Sequence, residues 1–194
     1  MREVINTLAY SDLAYNEPHE IINGKVYPMS NRRYNHAVIS SNISNIFERY
    51  LDGKRCEAFN QFNVFFDEDN HYVPDEVIIC NPDIVEEDAI HGTPDLVVEI
   101  LSKSTAIKDR MDKFVIYEKF GVKEYWIVDP FIKSVEVYLL KDGKLQRSDI
   151  YQYYTDEEYN ELTKLQKADA KFEIKVSLYD DFVVQLKDIF KRVK

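Results

Sequence analysis

The sequence lacks most of the features that assign a function at once. No run of about 18 uncharged apolar residues occurs in its 194 residues, so no membrane span is expected. Arg2 and Glu3 are followed by mixed polar sequence, which is not the basic-then-apolar pattern of a secretory signal. No Walker loop, dinucleotide fingerprint, GxSxG elbow or HExxH helix is present. The common nucleotide-binding, serine-hydrolase and zinc-protease classes are therefore excluded.

Cysteine and histidine are also scarce. The chain has 2 cysteines and 4 histidines, and none of them has the paired spacing of a zinc site. Cys80 ends an apolar run, and Cys56 lies far from it in sequence. We therefore expect two reduced structural thiols in a cytoplasmic protein.

Positive charge is in deficit. The chain has 25 Lys and Arg residues against 35 Asp and Glu residues, which gives a net charge of -10. This balance argues against indiscriminate nucleic-acid binding but leaves room for a local basic groove. With 45% hydrophobic residues the chain can bury a core, and we expect one domain over residues 1–194, with an N-terminal hairpin and C-terminal strand additions.

Hydrophobic periodicity and turn residues predict a mixed α/β fold with helices on the faces of a sheet. The pairs Asn23-Gly24 and Asp142-Gly143, each between two strand-like runs, predict hairpins. Helical spacing predicts helices over 35–51 and from about 105 to 120, the second closed by Gly121. Alternation predicts strands at 56–66, 72–80, 95–101, 122–129 and 172–178, a short helix or strap in 1–18, and a partly helical segment at 155–170.

Two apolar strands carry acidic residues. Asp75 lies in the run 73–80, and Asp95 and Glu99 lie in the run 93–101. Because side chains alternate along a strand, Asp95 and Glu99 share one face with Val97 and Leu101. An isolated carboxylate in the middle of an apolar strand is costly to bury. Glu99 therefore needs a metal ion, a lysine or a raised pKa.

The helix that follows carries a lysine that could compensate the charge of Glu99. Asp109, Lys113 and Tyr117 lie at i, i+4 and i+8 with apolar residues on both sides, so Lys113 should be at least partly enclosed. Two interpretations stay open. The carboxylates could bind Mg²⁺ or Mn²⁺, which prefer oxygen ligands. Alternatively, Glu99 and Lys113 form a buried ion pair while Asp75 and Asp95 cap strand ends.

At these residues the chain resembles a known family. Pro74-Asp75, then Pro94-Asp95 through Glu99-Ile100-Leu101-Ser102, then Lys113 and Tyr117, and finally the run 121–130 resemble the Uma-two family, which belongs to the PD-(D/E)XK nuclease superfamily. The resemblance extends from Glu20 to the end near Phe190. It implies a restriction-endonuclease-like core and a metal-dependent endonuclease that hydrolyses the phosphodiester bonds of DNA.

The resemblance also implies roles for single residues. Asp75 and Glu99 would be the two motif acids and would hold Mg²⁺ or Mn²⁺ together with the carbonyl of Ile100. Leu101 occupies the position of the motif lysine, so Lys113 is its expected counterpart and Lys103 the alternative. His36 at a helix start, Asp95 as a second ion ligand and Tyr117 as a phosphate contact are supporting candidates; the basic residues expected near the site are Arg32, Arg33, Lys103, Lys108 and Arg110.

Two other classes of function remain open at this point. One is a nuclease-like scaffold without activity that serves binding. The other is a self-associating protein, a homodimer formed through the second apolar border of the 105–120 helix and the edge strand at 172–178. A histidine at a helix start can equally be satisfied by a neighbouring loop, which is the structural alternative for His36.

Overall fold

The computed structural model describes residues 19–29, 32–102 and 109–194. The strap expected in 1–18, Lys103 and Lys108 lie outside the described residues. The strands are β1 His19–Ile22, β2 Lys25–Pro28, β3 Glu57–Asn60, β4 Asn63–Asp67, β5 Asn70–Tyr72, β6 Glu76–Ile79, β7 Ala89–His91, β8 Leu96–Ile100, β9 Glu124–Asp129, β10 Ser134–Lys141, β11 Lys144–Gln152, β12 Glu173–Lys175 and β13 Val183–Gln185. The helices are α1 Tyr34–Leu51, α2 Phe114–Phe120, α3 Asp156–Glu161, α4 Lys164–Asp169 and α5 Leu186–Ile189; a π-helical turn, Asp109–Lys113, precedes α2.

A six-stranded sheet in the order β11-β10-β9-β8-β6-β3 lies at the centre. Its pairs are antiparallel except β8 and β9, which are parallel. A parallel pair needs a crossover, and the segment that contains α2 supplies it. The prediction of a mixed sheet with helices on its faces is confirmed.

A second sheet of five strands has the order β2-β1-β5-β4-β7. Its β1–β2 hairpin turns at Asn23 and Gly24, whose φ angles of 49° and 72° are both positive, as a type I′ turn requires. The β10–β11 hairpin turns in the same way at Asp142 and Gly143, with φ angles of 52° and 73°. Both hairpin predictions are confirmed.

The core has two layers, one on each side of β8. Leu96, Val98 and Ile100 pack in the cluster that includes α1 and the C-terminal strands, whereas Val97 and Leu101 pack in the cluster under the second sheet and α2. The alternation predicted for this strand is therefore confirmed. The face shared with Glu99 is the one that meets the second sheet.

The segment at 56–66 is two strands, not one. Gln61 has φ +48°, a left-handed conformation that interrupts the extended backbone between β3 and β4. The chain passes there from the central sheet to the five-stranded sheet. The helix at 105–120 ends as predicted, with Gly121 at φ 82°.

The expectation of two reduced thiols is wrong. Cys56 and Cys80 form a disulfide, with 4.0 Å between their Cα atoms. Antiparallel pairing of β3 with β6 matches Glu57 with Ile79, and one further step places the two cysteines opposite each other. Their separation of 24 residues hides this proximity. The two cysteines therefore no longer support the expectation of a reducing compartment.

The surfaces suggested for self-association are covered only in part, since Phe172 in the 172–178 segment is 46% exposed. Ile116, on the second border of α2, is 3% exposed, and β12 pairs with β13 while its Ile174 is buried. None of the helices in the described part of the chain is long and apolar enough to cross a membrane.

Candidate active site

Asp75 and Glu99 face each other across two neighbouring strands. The antiparallel register pairs Glu76 with Val98 and Val77 with Val97, so one further step places Asp75 opposite Glu99. Side chains directly opposite in such a pair lie about 5 Å apart at Cβ, and like charges there repel. Both residues are buried, at 6% and 4% exposed. The pair therefore needs compensating positive charge or strong hydrogen-bond donors.

Three groups donate to or contact the Asp75 carboxylate. The backbone N–H of Ile100 donates to Oδ2 at 2.8 Å, and the Nε2 atom of His36 lies 3.2 Å from the same oxygen. The side-chain amide of Gln61 donates to Oδ1 at 3.2 Å. His36 lies in the first turn of α1, and its supporting role stays a prediction.

Lys113 links two buried carboxylates. Its Nζ lies 2.8 Å from Oε1 of Glu99 and 2.7 Å from Oε1 of Glu20, and the lysine is 3% exposed. The enclosure predicted for Lys113 is therefore present. The contact with Glu99 is also the ion pair of the structural interpretation, so both interpretations share this geometry.

Tyr117 also contacts Glu99. Its hydroxyl donates to Oε1 at 2.6 Å, and its side chain is fully buried. Burial, followed by the charge of Glu99, raises the pKa of Tyr117 well above its usual value. The expected contact between Tyr117 and a phosphate does not fit this placement, because the hydroxyl is turned into the protein. Tyr117 instead fixes Glu99.

A π-helical turn contains Lys113. It ends at this residue, directly before α2. Phe114, the next residue, packs edge-on against Tyr138 of the central sheet. Single π-type turns occur frequently at functional sites.

Asp95 does not join this cluster. It lies directly before β8 and four residues before Glu99, which is about 13 Å along an extended chain. Its carboxylate accepts from the N–H of Cys80 at 2.7 Å and from the Nζ of Lys123 at 2.6 Å. The expectation that Asp95 binds a second ion beside Asp75 thus disagrees with the structure. The prediction that Asp95 shares a face with Glu99 was correct, but the distance along the chain separates Asp95 from the cluster.

The residues of this cluster lie in a range of the chain that matches a known family. The family model described as "Putative restriction endonuclease", Uma2, matches residues 9–176. The chain belongs to the Uma2 family. The matched range contains every acidic and basic residue of the cluster described above.

Two curated relatives of this Uma2 chain come from Synechocystis. The uncharacterized protein slr1290 is 33% identical over 129 residues, which are 65% of this chain and 68% of the relative. The uncharacterized protein sll1609 is 28% identical over 127 residues, which are 63% of this chain and 72% of the relative. Neither name states an activity.

A solved structure shares the fold. The crystal structure of a "putative nuclease belonging to DUF820" from Anabaena variabilis superposes with a TM-score of 0.69 and 21% identity, covering 92% of this chain and 94% of that one. This Uma2 chain therefore has a restriction-endonuclease-like fold.

Glu20 is a site residue that sequence reasoning did not select. It lies on β1, alternates with Ile21 to share a face with buried Ile22, and is 5% exposed. An acid in phase with a buried apolar residue is the same signal that identified Glu99. The contact with Lys113 spans 93 residues, so the sequence could mark Glu20 as buried but not name its partner.

Of the five basic residues expected near the site, the structure describes Arg32, Arg33 and Arg110. Arg110 pairs with Glu136 at 2.7 Å and approaches Asp129 at 3.8 Å. Arg32 and Arg33 are exposed just before α1. Any positive surface for a substrate would therefore be local, and it would begin with these two arginines.

Glu76 adds a second buried acid next to Asp75. It points to the α1 side, is fully buried, and accepts from the Asn60 side chain. Burial raises the pKa of Glu76 to about 8, partly offset by hydrogen bonds from Asn60 and Ser44. Oε2 of Glu76 and Nδ1 of His36 are buried without a hydrogen-bond partner among the described residues. A protonated Glu76 fits this setting better than a second charge beside Asp75.

The donor set fits a magnesium-type ion. No cluster of three or more His, Cys, Asp or Glu side chains arranged for metal binding occurs within 19–29, 32–102 and 109–194. Two opposed carboxylates remain, Asp75 and Glu99, and the backbone at Ile100 lies against the first of them. Mg²⁺ is usually bound through one or two carboxylates and keeps several waters, so this small hard set is sufficient.

Proposed function

We propose that this chain is a metal-dependent endonuclease that hydrolyses the phosphodiester bonds of DNA. The observation that carries the proposal is the placement of Asp75 opposite Glu99 with buried Lys113 in contact with Glu99. Membership of the Uma2 family supports a nuclease-like function, and the geometry supports the metal-dependent form of it.

Asp75, Glu99 and the carbonyl of Ile100 would hold Mg²⁺ or Mn²⁺. When bound, such an ion supplies Lewis acidity at the phosphoryl oxygen and lowers the pKa of a water. His36 orients the Asp75 carboxylate through its contact with Oδ2. The protein's part is thus to keep two repelling carboxylates at one place on the sheet.

Lys113 brings a positive charge to the same place. Glu20 and Glu99 hold its ammonium from two sides at 2.7 and 2.8 Å. A fixed cation beside a phosphate stabilises the negative charge that develops during hydrolysis, without reorganisation at the moment of reaction. Tyr117 restrains Glu99 and so limits the movement of the pair. Glu20 and Tyr117 act in this proposal as positioning residues.

DNA is the substrate that we propose, bound through local contacts. The net charge of -10 would oppose a phosphate backbone over most of the surface, so binding must rely on few cations such as Arg32 and Arg33. Affinity should then fall with salt, with a log–log slope of about -0.9 per phosphate neutralised. Homodimer formation and a cytoplasmic location stay predictions.

One observation favours a second candidate, a nuclease-like binding scaffold without catalysis. Oε1 of Glu99 already accepts hydrogen bonds from Lys113 and Tyr117, which is what a purely structural ion pair also requires. The scaffold would bind nucleic acid or protein and hydrolyse nothing.

A cleavage assay separates the two candidates. Supercoiled, linear and single-stranded DNA, with an RNA of matched sequence, are incubated with the protein in Mg²⁺, in Mn²⁺ and in chelator. We expect cleavage of DNA only with the ions, and its loss in Asp75→Asn. Asp142→Asn, in an exposed hairpin turn where Asn is equally suited, is the matched control and should cleave normally. Cleavage that persists in chelator or in Asp75→Asn would refute the proposal.

A further inference from the structure

The corner between β3 and β4 encloses Asp75 from the side away from Glu99. The β3–β6 register pairs Asn60 with Glu76, and one further step places Gln61 opposite Asp75. Asp75 therefore lies in the middle of a row across three strands, with Gln61 on one side and Glu99 on the other.

Two consecutive residues of this corner, Asn60 and Gln61, donate hydrogen bonds to the backbone carbonyl and to the carboxylate of Asp75. The Gln61 backbone N–H donates to the Asp75 carbonyl at 3.3 Å, and the Asn60 side-chain amide donates to the same carbonyl at 3.0 Å. The Gln61 side-chain amide donates to Oδ1 of the carboxylate at 3.2 Å. Backbone and carboxylate are thus held together, which restricts rotation of the side chain.

The backbone of Gln61 has a conformation that is rare for its residue type. Its φ of +48° is a left-handed conformation that residues other than glycine, asparagine and aspartate rarely adopt. Among the described residues, Asn23 and Asp142 share this conformation in hairpin turns to which their residue types are suited, and Lys133 and Arg192 share it with residue types that are no better suited than glutamine. Gln61 differs from Lys133 and Arg192 in its hydrogen bond to the carboxylate of a candidate site residue, Asp75. A strained residue that persists beside a candidate site suggests that its side chain is needed there.

We infer that Gln61 is a positioning residue that holds the Asp75 carboxylate in the orientation in which it faces Glu99. The inference rests on the proposed function, because it gives this orientation a purpose in ion binding and cleavage. Groups that hydrogen-bond to a ligating carboxylate typically contribute 10–100-fold to metal affinity or activity. Gln61 would therefore matter for the site although it touches neither ion nor substrate.

Two substitutions at Gln61 separate the amide from the bend. Gln61→Met keeps the length of the side chain and removes its hydrogen-bond donor. Gln61→Gly also removes the donor, but glycine adopts a positive φ without strain, so the bend is preserved. Gln146→Met, the same chemical change at an exposed position of β11, is the matched control.

We expect both Gln61 variants to lose about 10–100-fold in Mn²⁺ affinity or cleavage rate, while Gln146→Met matches the wild type. Melting in chelator should show Gln61→Gly at least as stable as Gln61→Met, because the strain is relieved. A merely structural role predicts the same order of stability but a different activity: Gln61→Gly, which keeps the bend, would then retain wild-type Mn²⁺ affinity and cleavage. Wild-type affinity and cleavage in both variants would overturn the inference.

A third readout needs neither ion nor substrate. The Ile100 N–H donates to Oδ2 of Asp75, so its hydrogen exchange reports the position of the carboxylate. The exchange should accelerate in Gln61→Met and not in Gln146→Met; equal exchange in the two would overturn the inference. A wild type that cleaves nothing refutes the proposed function, and the Ile100 exchange still decides whether Gln61 positions Asp75.

Discussion

Replacing Lys113 by methionine tests how much the buried ion cluster contributes to stability. The lysine is 3% exposed and its Nζ contacts Glu20 at 2.7 Å and Glu99 at 2.8 Å. Methionine fills a similar volume but leaves two buried carboxylates without this cation. Removing one partner of a buried ion pair typically costs about 3–5 kcal/mol.

The expected loss is large enough to measure by thermal unfolding in chelator. In a chain of 194 residues, each kcal/mol shifts the melting temperature by about 2–4 °C, so Lys113→Met should melt about 6–20 °C lower. Lys123→Met is the matched control, since Lys123 also pairs with an acid, Asp95 directly before β8 at 2.6 Å, but is 65% exposed at its side chain. Such exposed pairs contribute about 0–1 kcal/mol, so the control should melt within about 4 °C of the wild type.

A double substitution assigns the cause. Glu20→Gln in the Lys113→Met background removes one of the two buried charges, so the pair of changes should destabilise less than the sum of the single ones. Residues in one such network typically couple by about 0.5–3 kcal/mol. Equal melting of Lys113→Met and Lys123→Met, or strict additivity with Glu20→Gln, would refute the buried cluster.

Three further predictions concern other parts of the chain. Reduction of the Cys56–Cys80 bridge, which spans 24 residues, should lower the free energy of unfolding by about 3 kcal/mol, and an unchanged melting temperature in reductant would contradict it. Burial raises the pKa of Glu76 to about 8, so the unfolded chain releases this proton at a lower pH than the folded chain does. The free energy of unfolding in chelator should therefore fall as the pH rises from about 4.5 to about 8. Glu76→Gln should remove that fall, and a parallel pH profile for both proteins would count against it. Asp95→Asn should retain cleavage, since Asp95 lies about 13 Å along the strand from Glu99, and its inactivity would restore Asp95 to the site.

Local patterns predicted the elements of the fold well. Asn23-Gly24 and Asp142-Gly143 form the expected turns because their positive φ angles are a local property of these residue types. Alternation in β8 correctly assigned Glu99 to a face, because a strand has a period of two whatever it packs against. The helical spacing that predicted the enclosure of Lys113 is also a local property of the sequence.

What the sequence could not predict depends on strand order and distance. Alternation places Asp95 and Glu99 on one face of the sheet. It does not predict the register of β6 and β8, which places Asp75 opposite Glu99 and not opposite Asp95. The contact of Lys113 with Glu20 and the bridge between Cys56 and Cys80 both arise from pairing of distant segments. The resemblance to the Uma-two family identified Asp75 and Glu99 as partners, which physical reasoning on the residues alone left open.

The most direct test of the central claim is the rate at which the purified protein nicks supercoiled DNA as Mg²⁺ is titrated. Wild type, Glu99→Gln and Lys123→Met are compared at one protein concentration. The account predicts a rate that rises and saturates with Mg²⁺ in the wild type and in Lys123→Met, and stays at the chelator background in Glu99→Gln. Nicking by Glu99→Gln at the wild-type rate, or no nicking by the wild type at any Mg²⁺ concentration, would contradict it.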